Sequence, residues 1–115
     1  MKATIYFTNK CGTARKTLAI LEEAGAEITI INYLENPPSK DELKRLYKRA
    51  GMTVRDGLRA KEAIAAELGL LDETVPDEQI LEAMMQHPIL INRPLVETEK
   101  GAKLCRPQEL VHDLL

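Results

Sequence analysis

The sequence predicts an α/β fold with a mixed β-sheet and a helical segment inserted in it. Three observations lead to this prediction. A strand, a helix and a second strand fit within the first 33 residues, helical periodicity dominates the middle, and two strands and a helix close the chain. A strand–helix–strand unit pairs its strands in parallel, whereas a tight turn pairs strands antiparallel, so we expect both kinds of pairing.

The first third is predicted to form the βαβ unit. Residues 2–7 are rich in strand-forming side chains. Residues 14–24 have the apolar spacing of a helix, and Gly25 is expected to end it. Residues 27–33 contain a β-branched run and form the second predicted strand.

Residues 38–87 are predicted to be the helical insertion. Ser39 is expected to cap its first helix, with Glu42 completing a capping box, and Gly51 is expected to end that helix. Residues 53–75 predict only short helices. A further helix is expected to be capped by Asp77 and to end before a His-Pro pair.

The last third is predicted to be a ββα unit. Strand-like residues occupy positions 89–93 and continue beyond Pro94, and residues 102–105 follow a Lys-Gly turn that predicts a hairpin. Pro107 suits the first turn of a final helix. This order of elements is the thioredoxin-like plan, and we expect a single domain over residues 1–115.

Composition and charge narrow the classes of function. Apolar residues make up 44% and charged residues 30% of the 115 residues, which is typical of a globular domain. The formal net charge of -2 gives no basic field for nucleic acid or an anionic membrane. Two cysteines suit a reducing compartment. We therefore expect a cytoplasmic monomer that binds neither nucleic acid nor membrane.

Cys11 lies where the first predicted strand gives way to the first predicted helix. The N–H groups at a helix N-terminus have no partner in the helix, and with the helix dipole they favour a negative charge. A thiolate is such a charge, so we expect a lowered Cys11 pKa, with Lys10 and Arg15 acting in the same direction. A reactive thiol is favoured over the inert buried cysteine that is common in proteins.

A Cys-X-X-Cys redox pair is excluded at this turn, because Ala14 occupies the second position. Cys105 has no catalytic partner beside it in the sequence, and we expect it to be inert packing. Cys11 must then be resolved by an outside thiol, unless Cys105 lies close to it. No spacing of histidines and cysteines indicates a metal site.

The helix N-terminus that favours a thiolate can also hold an oxyanion such as phosphate, sulfate or arsenate. Gly12 would let a ligand approach the backbone, and Thr13 offers a hydroxyl. Arg93 and Arg106 each precede a proline, and a guanidinium group matches an oxyanion bidentately. We expect the bond after Arg93 to be cis by analogy with thioredoxin-like folds.

Four blocks of sequence stand out: "CGTARKTL", "YLENPPSKDEL", "QHPILINRPLV" and "LCRP". In this order and spacing they closely resemble the glutaredoxin-linked arsenate reductases, cytosolic members of the thioredoxin-like superfamily. The resemblance runs from Thr4 to the C-terminus. It departs from the family four residues before the cysteine, where Phe7 replaces the usual histidine.

The resemblance implies reduction of arsenate to arsenite, with glutathione as co-substrate, glutaredoxin as partner and no bound cofactor. It makes Cys11 the nucleophile. It assigns the oxyanion to three arginines, Arg59, Arg93 and Arg106, and the rest of the binding loop to Gly12, Thr13 and Arg15.

Two alternatives stay open at this stage. One is a monothiol glutathione-dependent oxidoreductase with another substrate, which would need Cys11 but not three arginines. The other is a transcription regulator of the same fold that binds RNA polymerase. The better-known regulators sense oxidants with a Cys-X-X-Cys motif, so Ala14 counts against this alternative.

Overall fold

The computed structural model describes residues 1–115, and the chain divides into two compact units. We call Met1–Asn36 together with Arg93–Leu115 the sheet unit, and Pro37–Asn92 the helical unit. No helix in the structure has both the length and the apolar character needed to cross a membrane. The single domain expected over residues 1–115 stays a prediction.

The sheet unit contains a four-stranded mixed sheet in the order β2-β1-β3-β4. Strand β1 pairs in parallel with β2 and antiparallel with β3, and β3 pairs antiparallel with β4. The strands are β1 Lys2–Phe7, β2 Glu27–Asn32, β3 Leu95–Thr98 and β4 Gly101–Leu104. The predicted α/β, thioredoxin-like class with βαβ and ββ units is confirmed.

Helix α1, Gly12–Glu23, connects the two parallel strands and begins two residues earlier than predicted. Its buried Leu21 packs with Ile5, Val96 and Val111 in the apolar core of the sheet unit. The segment after Pro107 packs on the same core, but it is a 3-10 helix, Gln108–Leu114, and not the expected α-helix. These contacts hold α1 and the 3-10 helix against the sheet.

The helical unit contains α2 Lys40–Ala50, α3 Ala63–Glu67 and α4 Asp77–Gln86. The predicted start of α2 is confirmed, because the Glu42 N–H donates to the Ser39 hydroxyl at 3.1 Å. The predicted cap of α4 is wrong. Asp77 is already the first helical residue, and Pro76, with extended backbone and no capping side chain, holds the cap position.

The strand expected over residues 89–93 is also wrong. Pro88–Leu90 form a 3-10 turn, in which the Ile91 N–H donates to the Pro88 carbonyl at 3.0 Å. This bond curls the backbone, so Ile91 makes only an isolated bridge to Leu58. Regular pairing begins only at β3, beyond Pro94.

Candidate active site

Cys11 is held by a tight turn between β1 and α1. Its N–H donates to the Thr8 carbonyl at 3.2 Å, and its own carbonyl accepts from the Arg15 N–H at 3.1 Å. The Thr8 hydroxyl accepts from the Lys10 N–H at 3.4 Å and steadies the same turn. Cys11 therefore occupies the N-cap of α1 with extended backbone, which confirms its predicted place in the fold.

The hairpin brings two arginines to one end of the sheet. Leu95 of β3 pairs with Leu104 of β4, so Arg93, just before β3, and Arg106, just after β4, emerge at the same end. Tyr6, near the end of β1, pairs with Leu95. The chain leaves β1 toward Cys11 at this end, so sheet register alone gathers the thiol and both guanidinium groups.

Both guanidinium groups contact the sulfur. The Arg106 Nη1 donates to the Cys11 Sγ at 3.5 Å and to the Arg93 carbonyl at 3.1 Å. The Arg93 side chain also donates to the sulfur. Cys11 and Arg93 are only 7% and 8% exposed, so these charges interact with little screening by water.

The Cys11 pKa reflects competition between burial and these donors. Burial by itself would raise it, because an apolar environment disfavours the thiolate. The Ala14 N–H, followed by Arg93 and Arg106, acts in the opposite direction and lowers the pKa from 9.0 to about 7. The Cys11 side chain makes no capping hydrogen bond to α1, but the Ala14 N–H in the first turn stabilises the thiolate. The predicted lowering is confirmed.

The Arg93–Pro94 bond is cis, which confirms that prediction. The Arg106–Pro107 bond is also cis, which was not expected from the sequence. Cys105 lies between Pro94 and Pro107 in the sequence, and its N–H donates to the Pro94 carbonyl at 2.9 Å.

The remaining residues of the predicted binding loop form the first turn of α1. Gly12 and Thr13 are half-buried there. The Arg15 side chain is exposed, and its Nη1 donates to the Asn9 carbonyl at 2.5 Å, so in this structure it braces the turn. Lys10 is exposed. Substrate binding by Gly12, Thr13 and Arg15 stays a prediction.

Arg59 lies in the helical unit, and two side chains contact its guanidinium group. Its Nε donates to the Glu62 carboxylate at 2.9 Å, and its Nη1 donates to the Asn92 side-chain oxygen at 3.3 Å. Sequence reasoning missed both partners. The i,i+3 spacing of Arg59 and Glu62 was a usable signal, whereas nothing in the sequence pointed to Asn92. The expected convergence of Arg59 with Cys11 stays a prediction.

Cys105 is a fully buried free thiol in the core of the sheet unit, alongside Ile5 and Val96. Its Sγ contacts the Lys103 carbonyl at 3.8 Å. Burial raises its pKa to about 12. This is the buried, unreactive environment expected for it.

Fold and site together define a class: a thioredoxin-like protein with one low-pKa cysteine and two arginines on its sulfur. The ArsC family model matches residues 6–114, and the chain belongs to the ArsC family.

Relatives of known name and structure agree with this membership. The chain is 51% identical to an arsenate reductase of Rhizobium meliloti over 100% of this chain and 82% of the relative. It is 47% identical to an arsenate reductase of Escherichia coli K12 over 97% of this chain and 79% of the relative. The solved arsenate reductase of Vibrio cholerae superposes with a TM-score of 0.95 at 43% identity, covering 100% of this chain and 98% of that one. The predicted resemblance is confirmed.

Proposed function

We propose that this protein reduces arsenate to arsenite, with Cys11 as the nucleophile and glutathione as the co-substrate. One observation carries the proposal: the buried Cys11 sulfur has a pKa of about 7 and is contacted by the guanidinium groups of Arg93 and Arg106. Arsenate is also the substrate named for the relatives at 47–51% identity.

The arginine charges around Cys11 suit a reaction between two anions. A thiolate repels a multiply charged oxyanion, so the attack needs positive groups that contact both reactants at once. Arg106 already donates to the sulfur, and a guanidinium group has further N–H donors for oxygen atoms of the same ligand. The unpaired N–H groups in the first turn of α1 favour the same negative charge.

The reaction has several steps. The Cys11 thiolate attacks arsenic, an arsenic–oxygen bond breaks, and the oxygen leaves as water after taking up protons. Glutathione then attacks arsenic in the adduct and displaces a second oxygen as water, so that arsenic is bonded to both Cys11 and glutathione. A thiol of glutaredoxin attacks the glutathione sulfur; a glutathione–glutaredoxin disulfide forms, and the electron pair of the broken arsenic–sulfur bond stays on arsenic. Water then cleaves the bond between arsenic and Cys11, which releases arsenite and restores the thiol.

Arg59 is proposed as the third group that neutralises the oxyanion, with Gly12, Thr13 and Arg15 completing the binding loop. No bound cofactor enters the reaction, because thiols supply both electrons. We place the protein in the cytoplasm, since the scheme depends on a reducing compartment rich in glutathione. We also propose that it acts as a monomer.

The test is arsenate-dependent oxidation of NADPH in the presence of glutathione, glutathione reductase and glutaredoxin. We expect turnover that needs arsenate and this protein and that disappears when glutathione or glutaredoxin is omitted. NADPH oxidation at the same rate without arsenate would contradict the proposal.

A monothiol oxidoreductase acting on glutathione mixed disulfides is the closest rival, because a low-pKa cysteine suits both reactions. A small mixed disulfide has little use for clustered arginines. Alanine substitution of Arg93 or Arg106 should therefore lower arsenate turnover much more than mixed-disulfide turnover. Equal losses in the two assays would favour the rival.

A further inference from the structure

The guanidinium group of Arg59 is held more firmly than an ordinary surface arginine. Glu62 accepts from its Nε and Asn92 from its Nη1. The Arg59 side chain is only 11% exposed and that of Glu62 28%. A matched pair in the same unit, Arg45 with Glu42, has the same i,i+3 spacing but is 48% and 36% exposed.

The backbone fixes the same arrangement from both sides. The Arg59 N–H donates to the Leu90 carbonyl at 2.8 Å, and the Asn92 N–H donates to the Gly57 carbonyl at 2.8 Å. Leu58 and Ile91 form a bridge between these two segments. Asn92 is therefore tied by its backbone to the segment that carries Arg59, and its side chain reaches the guanidinium group from a fixed point.

We propose that Glu62 and Asn92 are positioning residues that orient the Arg59 guanidinium toward the oxyanion of the substrate. This inference rests on the proposed arsenate reduction. An arginine side chain is long and flexible, and holding it in place before the substrate binds removes an ordering cost from the binding step. Nε and one N–H of Nη1 donate to the two positioning residues, and the guanidinium N–H groups that these bonds do not use are assigned to the anion.

A double-mutant cycle separates positioning from a general effect on the fold. We expect Glu62→Ala and Asn92→Ala each to lower kcat/KM for arsenate by roughly three- to tenfold, mostly through a higher KM. Glu62→Gln should recover most of the loss, because its amide oxygen can still accept from Nε. In an Arg59→Ala background, the Glu62→Ala change should have no further effect.

The control removes the carboxylate partner of Arg45, the matched arginine on the surface of the helical unit. Glu42→Ala takes the i,i+3 carboxylate from Arg45, far from any proposed role in the reaction, and should leave arsenate turnover unchanged. Thermal unfolding of every variant shows whether it is folded at the assay temperature.

Any of three results would overturn the inference. The first is that Glu62→Ala lowers kcat/KM for arsenate equally with and without Arg59. The second is that Glu62→Gln is as poor as Glu62→Ala, and the third is that Arg59→Ala has the kcat/KM of the wild type. In each case the arsenate reaction itself would stand, provided that Cys11→Ser is inactive. A wild-type protein without arsenate-dependent turnover would overturn the proposed function and, with it, this inference.

Discussion

Cys11 and Cys105 are two cysteines in different regions of the sheet unit. They differ far more in the hydrogen-bond donors around the sulfur than in solvent exposure. Cys11 is 7% exposed and Cys105 is 0% exposed. The Cys11 sulfur meets a helix N-terminus and two guanidinium groups, and its pKa is about 7. The Cys105 sulfur lies among apolar side chains, and its pKa is about 12.

The comparison teaches that burial alone does not decide whether a cysteine is reactive. Burial penalises both thiolates, but only Cys11 has N–H donors and positive charges that outweigh the penalty. Phe7, four residues before Cys11, packs on the apolar core and offers the thiol no proton acceptor or charge. Activation of the thiol here comes from backbone and arginine donors.

The largest expected difference is in turnover. Cys11→Ser should remove arsenate reduction below detection, roughly a 10^5-fold loss or more, because the nucleophile is gone. Cys105→Ala should keep at least about half of the activity, since Cys105 contacts no reacting group. The coupled NADPH assay measures both variants. If Cys105→Ala were as inactive as Cys11→Ser, a second thiol would be required and the contrast would be lost.

Alkylation of the native protein at pH 8 should modify Cys11 and leave the fully buried Cys105 almost unmodified. At that pH about nine-tenths of Cys11 is thiolate, against about one part in 10,000 of Cys105. Because the Cys11 pKa is lowered, its rate should fall about tenfold per pH unit below pH 7 and level off above pH 8. Iodoacetamide labelling followed by mass spectrometry measures each site. A Cys11 rate still rising between pH 8 and pH 9 would contradict the lowered pKa.

Arg106→Ala should reduce arsenate turnover by roughly tenfold or more, because a charge-assisted hydrogen bond contributes about 1.5–3 kcal/mol. The pKa of Cys11 should rise at the same time, since one donor to the thiolate is lost. Arg106→Lys should restore only part of the activity, because lysine lacks the guanidinium fork.

Arg45→Ala is the control, because Arg45 pairs with Glu42 on the surface of the helical unit. It should leave both the turnover and the Cys11 pKa unchanged. Full activity in Arg106→Ala would remove the argument that arginine donors set the difference between the two cysteines.

Much of the fold could be predicted because its signals are local. The Ser39 cap, the glycine after α2 and the hairpin turn each depend on a few neighbouring residues, and the structure has all three. The turn lies at Glu99 and Lys100, one residue before the predicted Lys100-Gly101 pair, and Gly101 begins β4. The strand expected over residues 89–93 failed because its β-branched composition competes with Pro88, which starts a 3-10 turn. Composition does not reveal which of two such local preferences prevails.

The candidate site was harder to predict from the sequence than the fold, because it depends on pairing between segments that are distant in the chain. The position of Cys11 at a strand–helix junction was enough to predict a lowered pKa. The contact of Arg106 with Cys11 spans 95 positions and follows from the register of β1, β3 and β4. The contact of Arg59 with Asn92 depends in the same way on the bridge between Leu58 and Ile91, whereas its contact with Glu62 is local.

The smallest expected effect concerns stability, and it tests whether the Cys105 environment is as apolar as its raised pKa indicates. Cys105→Ala leaves a small cavity and should cost about 1 kcal/mol in the free energy of unfolding. Cys105→Ser is closer in size but buries a hydroxyl, which costs about 1–3 kcal/mol without a good acceptor, so it should be the less stable variant.

At Cys11 the serine variant should not be less stable than the alanine variant, because a serine hydroxyl there can accept from Arg106. Urea unfolding of Cys105→Ala, Cys105→Ser, Cys11→Ala and Cys11→Ser measures these differences in the free energy of unfolding. A Cys105→Ser protein as stable as Cys105→Ala would mean that the Lys103 carbonyl, 3.8 Å from the native sulfur, satisfies the hydroxyl and that this region is less apolar than the comparison assumes.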